Sequence, residues 1–339
     1  MRHRPGAATA LALLALPAAA QEPPEPPVSE GGTWSATFEN DTFGGTDRNY
    51  TNGIRLDYVT PRNAPAWLAR TGRRSLGWLT DAEDWYLTFG VGQNIYTPQD
   101  IALDVPPEDD RPYGAFLYGS VGVVADSGDR LDTLQLDLGI VGPSALGEDT
   151  QKTVHSILDV QRPRGWEFQL RDEPAVRLVY ERKYRYLTSV DLGLFGLQAD
   201  AAPSWSVAVG NVDTSASVGL TLRVGDRLED TYGPPRILPA VAGPGFFESA
   251  DGFGWYLFGG AVGRAVGYNI FLEGNLFKDA PEARERGVEP NRLVADFQVG
   301  LALQFQGVEL AYTHVFRSEE FERQDGFAQF GSLNARVKF

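Results

Sequence analysis

The chain is predicted to be an all-β protein, an integral outer-membrane antiparallel β-barrel with long extracellular loops. Three observations carry this: an N-terminal export signal, repeated stretches of about ten residues that alternate apolar and polar, and a final alternating strand ending on Phe339. Beyond the signal no apolar run reaches the roughly 20 residues of an α-helical span. Backbone groups cannot stay unpaired in hydrocarbon, so a membrane form must be a closed sheet.

The first twenty residues have a basic start (Arg2, Arg4), an apolar run from Ala10 to Pro17 and an Ala18-Ala19-Ala20 end, the three parts of a secretory signal. Cleavage is expected after Ala20, so that residues 1–20 are a signal peptide and 21–339 a single barrel domain. The 339 residues contain no Cys, which excludes disulfides, thiolate metal sites and cysteine nucleophiles. A formal charge of −15 makes nucleic acid a poor partner. Anionic lipid remains a possible partner where divalent cations bridge the two.

Strand periodicity begins at Thr33. In 131–140, Leu134, Leu136, Leu138 and Ile140 oppose Thr133, Gln135, Asp137 and Gly139. In 293–303, Leu293, Ala295, Phe297, Val299 and Leu301 oppose residues that include Asp296 and Gln298. Burying Arg and Asp in a dry sandwich costs several kcal/mol each unless they are paired, whereas a wet or networked lumen removes that cost. Candidate strands are 33–41, 50–60, 84–94, 113–124, 130–140, 174–183, 186–197, 214–225, 252–264, 268–277, 291–303, 306–316 and 326–339. Thirteen is odd, whereas single-chain bacterial barrels have even counts, so one assignment is wrong or a strand near 203–210 is missing. The long joins 95–112, 141–173, 226–251 and 278–290 are expected outside the cell. The segment 61–83 is expected at the periplasmic end as a small amphipathic cap.

Two histidines remain after the signal. His314 lies on the apolar face of 306–316 and reads as structural. His155 lies in a polar loop four residues after Gln151, so one or two helical turns put both on one face. An imidazole can take a proton from water, and an amide donor beside it can stabilise an oxyanion. The second polar concentration runs from Phe38 to Gly53. Glu39 and Asp41 share parity with Ser35 and Thr37, and Thr51 shares it with Arg55 and Asp57, which places oxygen ligands at one rim of the lumen. Asn40 has the opposite parity and needs a bulge or the end of regular pairing to join them. Such oxygens suit a hard cation such as calcium.

At these residues the sequence resembles the outer-membrane lipid A 3'-O-deacylase family. The resemblance rests on Phe38 to Asp41 (FEND), Asp47 to Gly53 (DRNYTNG), Gly92 to Pro98 (GQNIYTP), Asp110 to Gly114 (DRPYG), Gly139 to Pro143 (GIVGP) with Gln151 and His155, Gly165-Trp166, and Asp172-Glu173-Pro174. It implies twelve strands and calcium-dependent hydrolysis of the 3'-linked acyloxyacyl ester of lipid A in the outer leaflet. The family's site residues fall on Asn40, Asp41, Thr51, Gln151 and His155, with Asp41 a metal ligand; the position of the family's catalytic lysine is left unassigned. Arg111 is a candidate for binding a lipid phosphate, with a role in fixing loops as the plainer reading. The partners implied are lipopolysaccharide, outer-membrane lipids and the outer-membrane assembly machinery, with nothing demanding an oligomer. The alternatives are a non-catalytic channel or surface-binding barrel, and an outer-membrane phospholipase.

Overall fold

The computed structural model describes residues 31–45, 48–63, 65–159, 161–193, 196–233, 252–277 and 287–339. The expected export signal lies outside them. The elements in chain order are β1 (Thr33–Asn40), β2 (Asn49–Val59), α1 (Trp67–Leu76), β3 (Asp84–Thr97), β4 (Gly114–Asp126), β5 (Arg130–Val141), α2 (Gly147–Leu158), β6 (Glu173–Tyr184), β7 (Thr188–Asp191), β8 (Gln198–Gly210), β9 (Asp213–Gly225), β10 (Phe253–Asn269), α3 (Ile270–Glu273), β11 (Leu293–Phe305), β12 (Val308–Arg317) and β13 (Ala328–Lys338). Neighbouring strands pair antiparallel, β1 pairs with β13, and β6 pairs with β8, which closes the ring. Four-residue β7 pairs only with β8 and stands outside it, so the barrel has twelve strands. No described helix is long and apolar enough to cross a membrane.

Three differences from the sequence-based strands have plain causes. Residues 252–264 and 268–277 are one strand: a bulge between Val266 and Tyr268 absorbs Gly267 and β10 continues to Asn269. The expected strand 186–197 shrinks to β7, while the ambiguous stretch around Trp205 and Val207 is the full strand β8. Fusing two of the thirteen expected strands into β10 and exchanging 186–197 for β8 leaves twelve, and β10 runs from the terminal end to the loop-bearing end. The long join after β9 therefore lies at the barrel end that holds both chain termini, not at the opposite, loop-bearing end. Residues 234–251 of that join lie outside the described residues.

The alternation sorts the two faces as expected. Ile54, Leu56, Phe89, Val91, Val121 and Leu138 are exposed on the outer wall. The inward set is buried and mutually neutralised. Arg55 lies 2.7 Å from Asp57, Arg177 2.7 Å from Asp137, Arg223 2.6 Å from Asp200 and Arg317 2.9 Å from Asp296, while Arg336 pairs with Glu309. The lumen thus escapes the burial penalty through a network of matched charges. His314 sits on the outer side, its ring 4.7 Å from that of Phe316, as a structural residue would.

Candidate active site on the outer wall

The site is built where β1 to β5 reach the loop-bearing end. Asn40 pairs across the sheet with Asn52, Asn52 with Ile95, and Ile95 with Ala115. Ile95 continues the outward series of Phe89 and Val91, and Ala115 that of Val121, so this row faces away from the lumen. Over it folds the β5–β6 connection. The Gly142 amide donates to the Ala115 carbonyl at 3.1 Å, the Gln93 amide to the Ala145 carbonyl at 2.6 Å, and α2 follows directly. Gly147 makes this close approach feasible, because a Cβ there would sit 2.4 Å from the Ala115 Cβ and 2.9 Å from the Trp166 ring.

Helix α2 buries Gly147, Gln151 and His155, spaced by four residues along one face, and leaves Ile157 exposed. The face shared by Gln151 and His155 is therefore the one turned to the barrel. Trp166 is buried among Ile95, Ile101, Tyr113, Ala115 and Ala145, and its indole donates to Gln151 Oε1 at 2.9 Å. An indole N–H only donates, so it fixes the amide with its oxygen toward Trp166 and its NH₂ group turned away. His155 Nδ1 bonds the carbonyl oxygen of Gln161. A carbonyl only accepts, so Nδ1 carries the proton and Nε2 holds the lone pair in the neutral ring. A backbone oxygen thus takes the place that a carboxylate holds in many catalytic histidine pairs.

The strand side of the site differs from the expected lumen rim. Glu39 does face inward, where the Tyr50 hydroxyl donates to it at 2.8 Å. A bulge between Tyr50 and Asn52 then breaks the parity: Tyr50 takes the inward place, packed on Tyr96 and Phe330, and Thr51 shares a 2.7 Å hydroxyl bond with Thr97. Thr97 continues the outward row of Gln93 and Ile95. Asn40 ends β1 and caps the following turn through its Oδ1, which accepts from the Thr42 amide at 2.8 Å. Asp41 opens that turn, is buried, and accepts from the Arg48 amide. Regular pairing ends at Asn40, as its parity required. The sequence reading singled out neither Asn49 nor Asn52; both carboxamides are buried with no protein hydrogen-bond partner on either polar atom.

Arg111 is not at this surface. It has no exposed area, donates to Glu320 at 3.1 Å and lies 5.2 Å from the centroid of the Tyr96 ring. Glu320 also meets Arg264 at 3.2 Å and Arg317 at 3.5 Å. Burial opposes its charge, but Arg317, Arg111 and Arg264 outweigh this and hold the carboxyl below the usual glutamate value of 4.5. A guanidinium so enclosed locks the loop inside the barrel mouth; the expected contact with a lipid phosphate is corrected.

The profile of the family described as outer membrane protein LpxR matches residues 7–339. The chain belongs to this family. It is the lipid A 3'-O-deacylase family that the motifs resemble, and the barrel is an outer-membrane protein. Among solved structures, LpxR from Salmonella typhimurium is similar with a TM-score of 0.72 at 21% identity, covering 91% of this chain and 100% of that one. The β domain of the Bordetella autotransporter BrkA aligns with a TM-score of 0.44 at 13% identity, covering 91% and 99%. No curated protein sequence matches the chain. Of the described lysines, Lys152 is exposed on α2 beside Glu148, and Lys183 and Lys338 lie at the terminal end.

Proposed function

We propose that this LpxR-family barrel is a lipid A deacylase that hydrolyses the 3'-linked acyloxyacyl ester in the outer leaflet, with its loop-bearing end outside the cell. The observation that carries the reading is the paired orientation of Gln151 and His155 on the outward side of the wall. A lipid ester reaches that side by lateral diffusion and need not enter the barrel. The ion-paired interior weighs against an open channel.

Water attacks the ester carbonyl while His155 Nε2 takes its proton. The new C–O bond leaves negative charge on the former carbonyl oxygen, toward which the Gln151 NH₂ group donates. Collapse breaks the bond to the sugar 3'-oxygen, which recovers the proton from Nε2 and leaves as a hydroxyl, and the acyl chain leaves as a carboxylic acid that gives its proton to solvent water. The Gln161 carbonyl holds the imidazole orientation and stabilises the imidazolium, and Trp166 holds the amide. Asn40 and Thr51 shape the strand side.

Calcium is tested by the donors present. Among the described residues no three His, Cys, Asp or Glu converge, so a cation would rest on neutral oxygens around one carboxylate. Asp41, Thr51 and the carboxamide oxygens of Asn49 and Asn52 are of the right hard chemistry, and a cation would relieve those two unpartnered oxygens, each costing about 1–3 kcal/mol when left unsatisfied. Bound there, calcium would supply positive charge toward the developing oxyanion.

The deciding experiment incubates the purified barrel in detergent with lipopolysaccharide and, separately, with glycerophospholipid. Acyloxyacyl release from lipopolysaccharide supports the reading; fatty acid from phospholipid alone replaces it with the phospholipase alternative.

A further inference from the structure

Helix α1 lies at the other end of the barrel, on the outside of the same two strands. Its buried residues Leu68, Ala69 and Gly72 pack on Trp85, Ala82 and Ala125. Trp85 and Ala125 are cross-strand partners, and Trp85 continues the outward series of Leu87 and Phe89. The helix is pressed hard on this wall: a Cβ at Gly72 would lie 2.4 Å from the Trp85 ring. It is therefore no lid over the lumen, as a cap would be, but a rod on the barrel's outer perimeter near its terminal end.

The face turned away from the wall is unusual for this chain. Trp67, Arg70 and Arg74 follow i, i+3, i+7 and share it, and Arg73 flanks it. All three arginines are exposed, as are Trp67 at 53% and Trp78 at 81%. Three cations within five residues stand out in a protein of net charge −15. Arginine on the lipid face of a barrel is costly at the bilayer midplane, by roughly 2–4 kcal/mol, and nearly free at the interface. The helix thus belongs at headgroup level, where Trp rings also concentrate. A guanidinium there pairs with phosphate through two parallel hydrogen bonds.

We propose that α1 is an interfacial anchor that binds the phosphate headgroups of anionic glycerophospholipids in the leaflet at the terminal end, through Arg70, Arg73 and Arg74 with Trp67 and Trp78 seated beside them. The ligand is a glycerophospholipid because the site faces the leaflet opposite the one that presents lipid A to α2. The anchor fixes the depth of β3 and β4, the strands that carry Gln93, Ile95 and Ala115 to the candidate site.

The test is native mass spectrometry of the full-length barrel released from micelles containing equal phosphatidylglycerol, phosphatidylethanolamine and lipid A. Phosphatidylglycerol should be retained in preference, and the triple variant Arg70→Gln, Arg73→Gln, Arg74→Gln should lose the preference by roughly fivefold per arginine. The matching triple lysine variant should keep most of it and controls for folding, and Arg292→Gln at the opposite end should leave it unchanged. Equal retention of the two glycerophospholipids by the parent, or an unchanged preference in the triple glutamine variant, overturns the proposal. Retention of lipid A in place of phosphatidylglycerol, lost in the triple variant, overturns the choice of lipid.

Discussion

Replacing Trp166 by Phe separates orientation from packing at the candidate site. The ring stays among Ile95, Tyr113 and Ala145, but the donor that meets Gln151 Oε1 at 2.9 Å disappears. The amide oxygen is then buried without that partner, and the side chain gains a second orientation in which oxygen replaces NH₂ toward the ester. A neutral hydrogen bond contributes about 0.5–1.5 kcal/mol net, so the productive orientation should lose roughly 2- to 13-fold in population. Gln151→Ala removes the donor altogether, at a cost on the order of 10²- to 10³-fold in kcat. The assay is turnover of lipopolysaccharide by the purified variants, with kcat and KM resolved and thermal unfolding measured in parallel. The account requires kcat to fall in both variants, much further for Gln151→Ala, with KM nearly constant. A Trp166→Phe enzyme with unchanged kcat, or one whose loss follows only its unfolding temperature, refutes the orienting role.

The remaining predictions concern the neighbourhood. Gly147→Val should push α2 off Ala115 and Trp166, removing activity while the barrel keeps its heat-modifiable migration on gels. Glu320→Gln leaves Arg111, Arg264 and Arg317 without their shared carboxylate and should destabilise the barrel by about 3–5 kcal/mol in urea unfolding. The same pair carries a pH signature: because the folded carboxyl is held below 4.5, its stabilisation is complete above that pH and is lost as pH falls through the depressed value. The gap between parent and Glu320→Gln should therefore be flat above about pH 4.5 and narrow below it. Asp110 acts in the opposite sense, since burial, only partly offset by the amides of Gln99 and Arg111, raises its carboxyl and makes its charged form a cost that acid relieves. Calcium titration followed by thermal unfolding should show a rise in the parent and a weaker one in Asn52→Ala and Asp41→Asn; equal rises in all three would remove these residues as ligands.

The barrel was legible because a period of two, sustained over ten residues, forces one face to lipid and the other to the lumen. Residues 133–140 behave so, and the charge opposing their leucines ends in the Asp137–Arg177 pair. What periodicity could not show is where a strand ends. Gly267 reads as a turn, yet the bulge beside it carries β10 onward, and this one misreading moved the connection after β9 to the wrong end. Gln151 and His155 were legible as one helical face, because spacing by four residues leaves little freedom. Their placement outside the wall was not, since it depends on the bulge at Thr51 and on the fit of Gly147 against Ala115, both invisible to parity counting. The enclosure of Arg111 was equally hidden, because its partner Glu320 lies more than two hundred residues away.

The most direct test of the central claim is the mass spectrum of lipid A extracted from cells that carry the parent chain or His155→Asn, grown with ample calcium. The account predicts that the parent's lipid A lacks the mass of one acyloxyacyl unit and that the variant's retains it, with both barrels equally abundant in the outer membrane. Identical spectra from equally abundant proteins would contradict it.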